Sequence, residues 1–381
     1  MNDILILSGS RTPIGSINGA LANYTAPQLA GKAAADAIAK AGVAAVDLGE
    51  VVLGCVIPAG IGQAPARQAA IAAGIPVSVG ATTVNKVCGS GMKAVMMAAQ
   101  GIALGEQDLA LAGGMESMSK APYLLDKARS GYRYGDAKLL DSVLRDGLMD
   151  PYDGVHMGDC GELCAKEQVI TREMQDAWAV RSYQAAIDAQ AKGYFKNEIV
   201  GIDGIELDEE PGRAKLDKIA KLRPAFQKDG TITAANASKL NDGAAALVLA
   251  SAKGAAGKKP LAKIVGWSTH SQEPKWFTTA PALAVTKLLK NVGWTTDQVD
   301  LFEINEAFAV VSLAVAKLAN LPHEKINVHG GAVALGHPLG ASGARILVTL
   351  INALKIRGGK RGVAGICLGG GEATAIAIEL V

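Results

Sequence analysis

Short apolar runs recur along the chain, each bounded by glycine or by a change of period. In the first part they are Ile4 to Ser8, Val51 to Cys55, Ala81 to Val87, Asp108 to Ala112 and Ala244 to Ala250, and near the end Val363 to Cys367 and Ala373 to Leu380. Runs of this length with no polar alternation predict strands covered on both faces. Between them the period lengthens. Pro27 to Ala41 carries Leu29, Ala33, Ala37 and Ala41 on one face and predicts a helix. Helices are also predicted over Ala64 to Ala73, Met92 to Ala103, Arg172 to Gln190, Glu306 to about Ala319 and about Gly343 to Arg357, with a short strand at Ile326 to His329. Strands alternating with helices predict a layered α/β protein.

The same order of elements occurs twice. Ala280-Pro281-Ala282-Leu283-Ala284 opens a helix as Ala26-Pro27-Gln28-Leu29-Ala30 does, and Val299-Asp300-Leu301-Phe302-Glu303 answers Val46-Asp47-Leu48-Gly49-Glu50. A glycine-rich loop holding His337 then stands where Cys88 stands in the first copy. A duplicated domain follows, with two βα halves of about 120 residues packing as a pseudo-dimer. In the second copy the last strand follows its glycine turn directly, whereas in the first it is delayed until after Asn241-Asp242-Gly243. The reading is an N-terminal half at 1–118 and 240–259, an inserted loop domain at 119–239, and a C-terminal half at 260–381.

Composition narrows the function. The formal charge of +2 over 381 residues supplies no field to collect nucleic acid or a membrane. The basic stretch Arg213, Lys215, Lys218, Lys221 and Arg223 follows directly on the carboxylates Glu206, Asp208, Glu209 and Glu210. Five scattered cysteines speak for a reducing, cytoplasmic setting and against a disulfide framework. Cys160 and Cys164 lack a second ligand pair, so no metal site is expected. Met1-Asn2-Asp3 runs straight into the first strand without signal-peptide features, and no apolar run is read as reaching transmembrane length.

Candidate chemistry gathers at strand ends and helix starts. Asn85-Lys86-Val87-Cys88-Gly89-Ser90-Gly91 delivers a cysteine into a helix N-terminus, where free N–H groups and the helix dipole favour a thiolate. The duplication brings to the same face Asn305-Glu306-Ala307-Phe308, Gly336-His337-Pro338-Leu339-Gly340 and Cys367-Leu368-Gly369-Gly370-Gly371. Singly, Asn305 reads as an N-cap, His337 as a turn residue and Cys367 as a buried strand end. Together, at matched places in two copies, they read as a site.

These segments, with Gly330-Gly331-Ala332-Val333-Ala334-Leu335-Gly336-His337-Pro338, resemble those of the thiolase family over essentially the whole chain, most nearly its short-chain biosynthetic members. The resemblance implies a five-layered αβαβα fold with an inserted loop domain. It implies an acetyl-CoA C-acetyltransferase that condenses two acetyl-CoA to acetoacetyl-CoA and CoA through acetyl-Cys88. His337 would take the Cys88 proton, Cys367 would act as the second acid and base, Asn305 would hold a water at the enolate, and the N–H groups of Cys88 and Gly369 would hold the oxyanion. His156 and Met157 resemble the acyl pocket. Leu148, Phe226, Ala234, Ser238, Ala307 and Phe308 resemble the pantetheine and adenine contacts, and Arg213 is the candidate for the CoA nucleotide. Asp159-Cys160-Gly161 departs from the family pattern after Met157-Gly158 and would bear on acyl length. No cofactor beyond CoA thioesters is implied, and a homo-oligomer, dimer or tetramer, is expected. A degradative thiolase for longer chains, a decarboxylating ketoacyl synthase and a non-catalytic CoA-binding protein are the competing readings. The second cysteine opposes the synthase, and the full set of catalytic side chains opposes the last.

Overall fold

The computed structural model describes residues 3–381. In chain order its principal elements are β1 (Leu5–Arg11), α1 (Ala26–Ala41), β2 (Glu50–Gly54), α2 (Pro65–Ala72), β3 (Gly80–Val84), α3 (Ser90–Leu104), β4 (Leu109–Ser117), α4 (Met157–Gln168), α5 (Arg172–Ala191) and β5 (Asn241–Ala250). The second half adds β6 (Ala262–Ser271), α6 (Ala280–Val292), β7 (Leu301–Ile304), α7 (Ala309–Leu318), α8 (Leu339–Arg357), β8 (Arg361–Leu368) and β9 (Glu372–Leu380). The strands follow the order β3-β2-β4-β5-β1-β6-β9-β8-β7. The β2/β3, β2/β4 and β7/β8 pairs are parallel, the rest antiparallel. The two halves meet edge to edge at β1 and β6, through Leu5 opposite Lys263 and Ile6 opposite Ala262.

Apolar residues on both faces of these strands require a helical layer on each side. α1 and α2 cover the outer face of the first sheet, and α6 covers that of the second with α7 packed beside it. α3 and α8 lie between the sheets, where Met92, Val95, Ile346, Leu347 and Leu350 are fully or almost fully buried against both. The outcome is the αβαβα layering. The segment Val87–Leu104, which contains α3, and α8 are each long and apolar enough, by length and composition, to cross a membrane, contrary to the expectation that no segment reaches that limit. Most of each is buried in the middle layer, and burial there demands the same all-round apolarity.

The chain leaves the first sheet after β4 and returns to it in β5. Between them lie a two-stranded hairpin (Tyr123–Leu124 with Leu140–Asp141), α4 and α5. The buried Arg11 at the end of β1 anchors this excursion. Its Nε donates to Glu198 Oε1 at 2.6 Å, and Nη1 and Nη2 donate to the two Asp208 oxygens at 2.7 and 2.9 Å. Such a paired charge is costly to break from one side, about 3–5 kcal/mol.

Two expectations need correction, and one strand was not expected at all. α7 begins at Ala309 with Phe308 at the N-cap position, so Glu306 is outside the helix and Asn305 does not cap it. Residues 326–329 form no strand, only a single parallel bridge of Ile326 to Phe302, because Asn327 turns the backbone into the left-handed region (φ 48°). β6, which pairs with β1 as the pseudo-twofold requires, lacks the clean apolar run that marks the other strands: Lys263, Ser268, Thr269, His270 and Ser271 interrupt it.

Candidate active site

The nucleophile turn is built by local hydrogen bonds. Ser90 Oγ donates to Val87 O at 2.6 Å and accepts from Lys86 N–H at 2.8 Å, while Asn85 Oδ1 accepts from Val87 N–H at 3.0 Å. These hold Val87 at φ 45°, a strained conformation for a β-branched residue, and the side chain that follows is Cys88. α3 starts two residues on. Its N-terminal turn meets that of α8 so closely that a Cβ on Gly91 would lie 2.8 Å from Gly340 O. The paired helix starts expected from the duplication therefore face one site.

His337 enters that site from the loop before α8 and is 4% exposed. Its Nδ1 lies 2.6 Å from Ser342 Oγ, and the Ser342 hydroxyl donates to Pro338 O at 2.9 Å. The single hydroxyl proton is thus used, so Ser342 Oγ accepts from Nδ1–H and Nε2 carries the lone pair. Asn305 Nδ2 approaches Nε2 at 3.5 Å, and Asn305 Oδ1 is buried with no hydrogen-bond partner among the described residues. Burial, helped by Arg345, pulls the His337 pKa down to about 3. A neutral imidazole whose Nε2 lone pair meets only a long contact from Asn305 Nδ2 can take a proton there.

The two thiols share the same ground. Burial pushes the Cys88 thiol up to about 12, while the N–H groups of Gly369 and of Cys88 itself pull it back. The N–H groups favour the thiolate as expected, while desolvation opposes them and outweighs them. The resting pair is a neutral thiol and a neutral imidazole. Fully buried Cys367, at the end of β8, is pushed well up by burial and then by the proximity of Cys88. A Cβ on Gly369 would lie 3.5 Å from Val87 Cγ1 and 3.8 Å from Met157 Sδ, which brings Met157 to the same turn.

A cavity of about 500 Å³ opens beside His337. Its walls include Leu148, His156, Phe226, Ala234, Ser238 and Phe308, with Arg213 and Glu210 among them. Arg213 is 60% exposed and pairs with Glu209 at 3.0 Å. Ala307 is behind this wall, its carbonyl accepting from Ser238 N–H at 3.0 Å. His156 is the N-cap of α4: its Nδ1 accepts from Gly158 N–H at 2.9 Å, and its ring stacks on Phe226 at 4.7 Å. The unusual Asp159 accepts from His156 N–H at 3.2 Å, completing the cap from outside the cavity. Cys160 is buried behind α4. Gly161 lies against Ile232 and the wall residue Phe308, where a Cβ would come within 2.5 and 3.7 Å of their side chains, so of the three departing residues it is the one that bears on the cavity.

Sequence reasoning missed the residues that position the others. Buried Glu116 accepts from Val56, Ile57 and Gly340 N–H at 2.9–3.2 Å, tying the loop after β2 to the first turn of α8 beneath the site, and burial raises its pKa to about 7. Glu306 accepts from Trp178 Nε1, Ser182 Oγ, Asn327 Nδ2 and Val333 N–H, locking the Asn305 loop to α5 and to the loop that carries His337. Asn241 Oδ1 accepts from His337 N–H at 2.9 Å. Acidic or amide side chains inside glycine-rich, otherwise apolar runs were the available signal.

A buried, oriented histidine, a half-buried cysteine held by two N–H groups at a helix start and a second, fully buried cysteine beside it define a class of acyl-transferring enzyme that works through a thioester on its own chain. The comparisons agree. Residues 4–253 match the family model for the thiolase N-terminal domain, and residues 258–380 that for the thiolase C-terminal domain. A probable acetyl-CoA acetyltransferase of Dictyostelium discoideum is 50% identical over all of this chain and 94% of its own length. Acetyl-CoA acetyltransferase 2 of Arabidopsis thaliana is 52% identical, covering 100% and 97%. Among solved structures, the Bacillus anthracis acetyl-CoA acetyltransferase superposes with TM-score 0.97 at 43% identity, covering 100% of this chain and 99% of that one. A thiolase of Ascaris suum in complex with coenzyme A gives 0.96 at 45% identity, with both chains fully covered. The chain belongs to the thiolase family, with the thiolase fold.

Proposed function

We propose that the protein is an acetyl-CoA C-acetyltransferase, joining two acetyl-CoA into acetoacetyl-CoA and CoA. The observation that carries this is Cys88 held by the N–H groups of Gly369 and of its own residue, with Cys367 alongside, at the meeting helix starts where the neutral His337 also enters. The Cys88 proton moves to His337 Nε2 as sulfur attacks the thioester carbonyl. The N–H groups of Cys88 and Gly369 hold the resulting oxyanion. Collapse expels the CoA thiolate, which takes the proton of Cys367. Acetyl-Cys88, protonated His337 and a Cys367 thiolate remain. The Cys367 thiolate removes a methyl proton from the second acetyl-CoA, and the enolate oxygen is held by Nε2–H and by a water on Asn305. Attack on acetyl-Cys88 forms the new carbon–carbon bond and releases the Cys88 thiolate, which recovers its proton from His337. All three groups end as they began.

The cavity wall of Leu148, Phe226, Ala234, Ser238 and Phe308 supports a CoA pantetheine arm, with Arg213 at the nucleotide end. His156 and Met157 support a short acyl group. Rates of thiolysis with acetoacetyl-CoA and with a ten-carbon 3-ketoacyl-CoA test this. Strong preference for the first is expected, and equal rates would make the enzyme a degradative thiolase.

A cytoplasmic homotetramer serving lipid metabolism completes the reading. Five unpaired cysteines support the compartment. The unpaired edge of β3 and the exposed Tyr123, Leu125, Tyr132, Tyr134 and Leu139 on and next to the hairpin support assembly. Light scattering on the purified protein decides the subunit number.

A further inference from the structure

A second polar cavity, of about 330 Å³, lies between α5, the C-terminal end of α8 and the segment 328–329, away from the catalytic turn. Its floor holds two groups in want of partners. His329 is 1% exposed, and neither ring nitrogen has a hydrogen-bond partner among the described residues. Arg181 Nη1 is likewise buried and unpartnered, although Nη2 donates to His323 O at 2.8 Å and Ile326 O at 2.7 Å. The exposed rim carries Lys192 and Arg357. The one carboxylate in the lining, Asp188, accepts from Gln184 at 2.9 Å. Three cations thus face one carboxylate, and two excess positive charges surround donors that burial makes costly to leave unmade. Glu303, Glu306 and Glu324 act on Arg181 from outside this lining.

We infer that this cavity binds a phosphate dianion, free or as a phosphomonoester, through His329, Arg181, Lys192 and Arg357. A tetrahedral oxyanion has enough acceptor sites to meet a guanidinium, an ammonium and an imidazole N–H at once. Tyr194, tilted at 42° with its ring centre 5.0 Å from that of His329, walls one side. Asn327, two residues before His329, holds Ile304 N–H, Ile304 O and Glu306, so a ligand here touches the base of the loop that ends in His337. The site would bias that loop through its anchor, with no contact to the acyl-CoA.

The test is calorimetric titration of the full-length enzyme with inorganic phosphate and, separately, methyl phosphate, at constant ionic strength in chloride. Lys192→Ala and Arg357→Ala, both on the exposed rim, are titrated beside Arg213→Ala, which marks the CoA cavity. Saturable binding that weakens at least about tenfold in each rim variant and persists in Arg213→Ala is the expected result. Tighter binding of methyl phosphate would assign the site to phosphomonoesters; tighter binding of phosphate would assign it to the free ion. Binding lost in Arg213→Ala but unchanged in the rim variants overturns the inference, as does no saturable binding in the wild type.

Discussion

Ser342→Ala tests the proton logic of the site most directly. Ser342 is fully buried, and its oxygen lies 2.6 Å from His337 Nδ1 while its proton is committed to Pro338 O. Alanine removes the acceptor and leaves Nδ1–H alone in a dry interior, at about 1–3 kcal/mol. The imidazole then regains that energy by moving its proton to Nε2 or by rotating, and in either state the lone pair is lost from the position Nε2 now holds. If the productive form is disfavoured by that amount, acylation of Cys88 slows by about 5- to 150-fold. Quenched-flow mixing with acetyl-CoA, read by intact mass, measures the step itself. KM for acetoacetyl-CoA should move little, since Ser342 does not line the CoA cavity. An acylation rate within twofold of wild type in a folded variant would refute the assignment of tautomer and base. A fall in rate matched by loss of folded protein would refute it too, by making the serine purely structural.

Cys88→Ala should abolish acyl transfer and keep CoA binding, whereas Cys367→Ala should accumulate acetyl-enzyme without condensation; intact mass after mixing with acetyl-CoA distinguishes them, and acetylation persisting in Cys88→Ala would refute the nucleophile. At Gly114 on β4, a Cβ would sit on the carbonyl oxygen of Gly340, so Gly114→Ala should cost at least about 1–3 kcal/mol in denaturant melts and displace the His337 loop; an unchanged midpoint would contradict the packing described. His337 has its folded pKa depressed to about 3, so between that value and about 6.5 the unfolded chain binds a proton that the fold refuses. Its neutral form is accommodated in full above about pH 6.5, and stability is lost as pH falls toward 3 at up to about 1.4 kcal/mol per unit. Buried Glu116 and Glu303, with raised pKa values, act in the opposite sense. The measurement is therefore the difference between wild type and His337→Gln, whose stability should fall less steeply below pH 6.5; parallel curves would count against a neutral buried histidine.

Much of this protein was legible in the chain itself. Apolar runs bounded by glycine located most of the strands, and Cys88, Asn305, His337, Cys367 and Gly369 could be picked out because chemistry-bearing residues broke those runs at matched places in two copies. Period and composition are local properties, and they survive in one dimension. What only the tertiary structure decided was relational. Whether Cys88 rests as thiol or thiolate depends on a competition between burial and two N–H groups, one of them 281 positions away at Gly369. That the lone pair of His337 is on Nε2 follows from where the Ser342 proton goes, and that Asn305 is no helix cap follows from α7 starting only at Ala309. The supports of the site, Glu116 and Glu306, looked like exceptions in apolar sequence. Their meaning lies in the backbone groups they meet, and those groups are brought together only by the packing of two halves about α3 and α8.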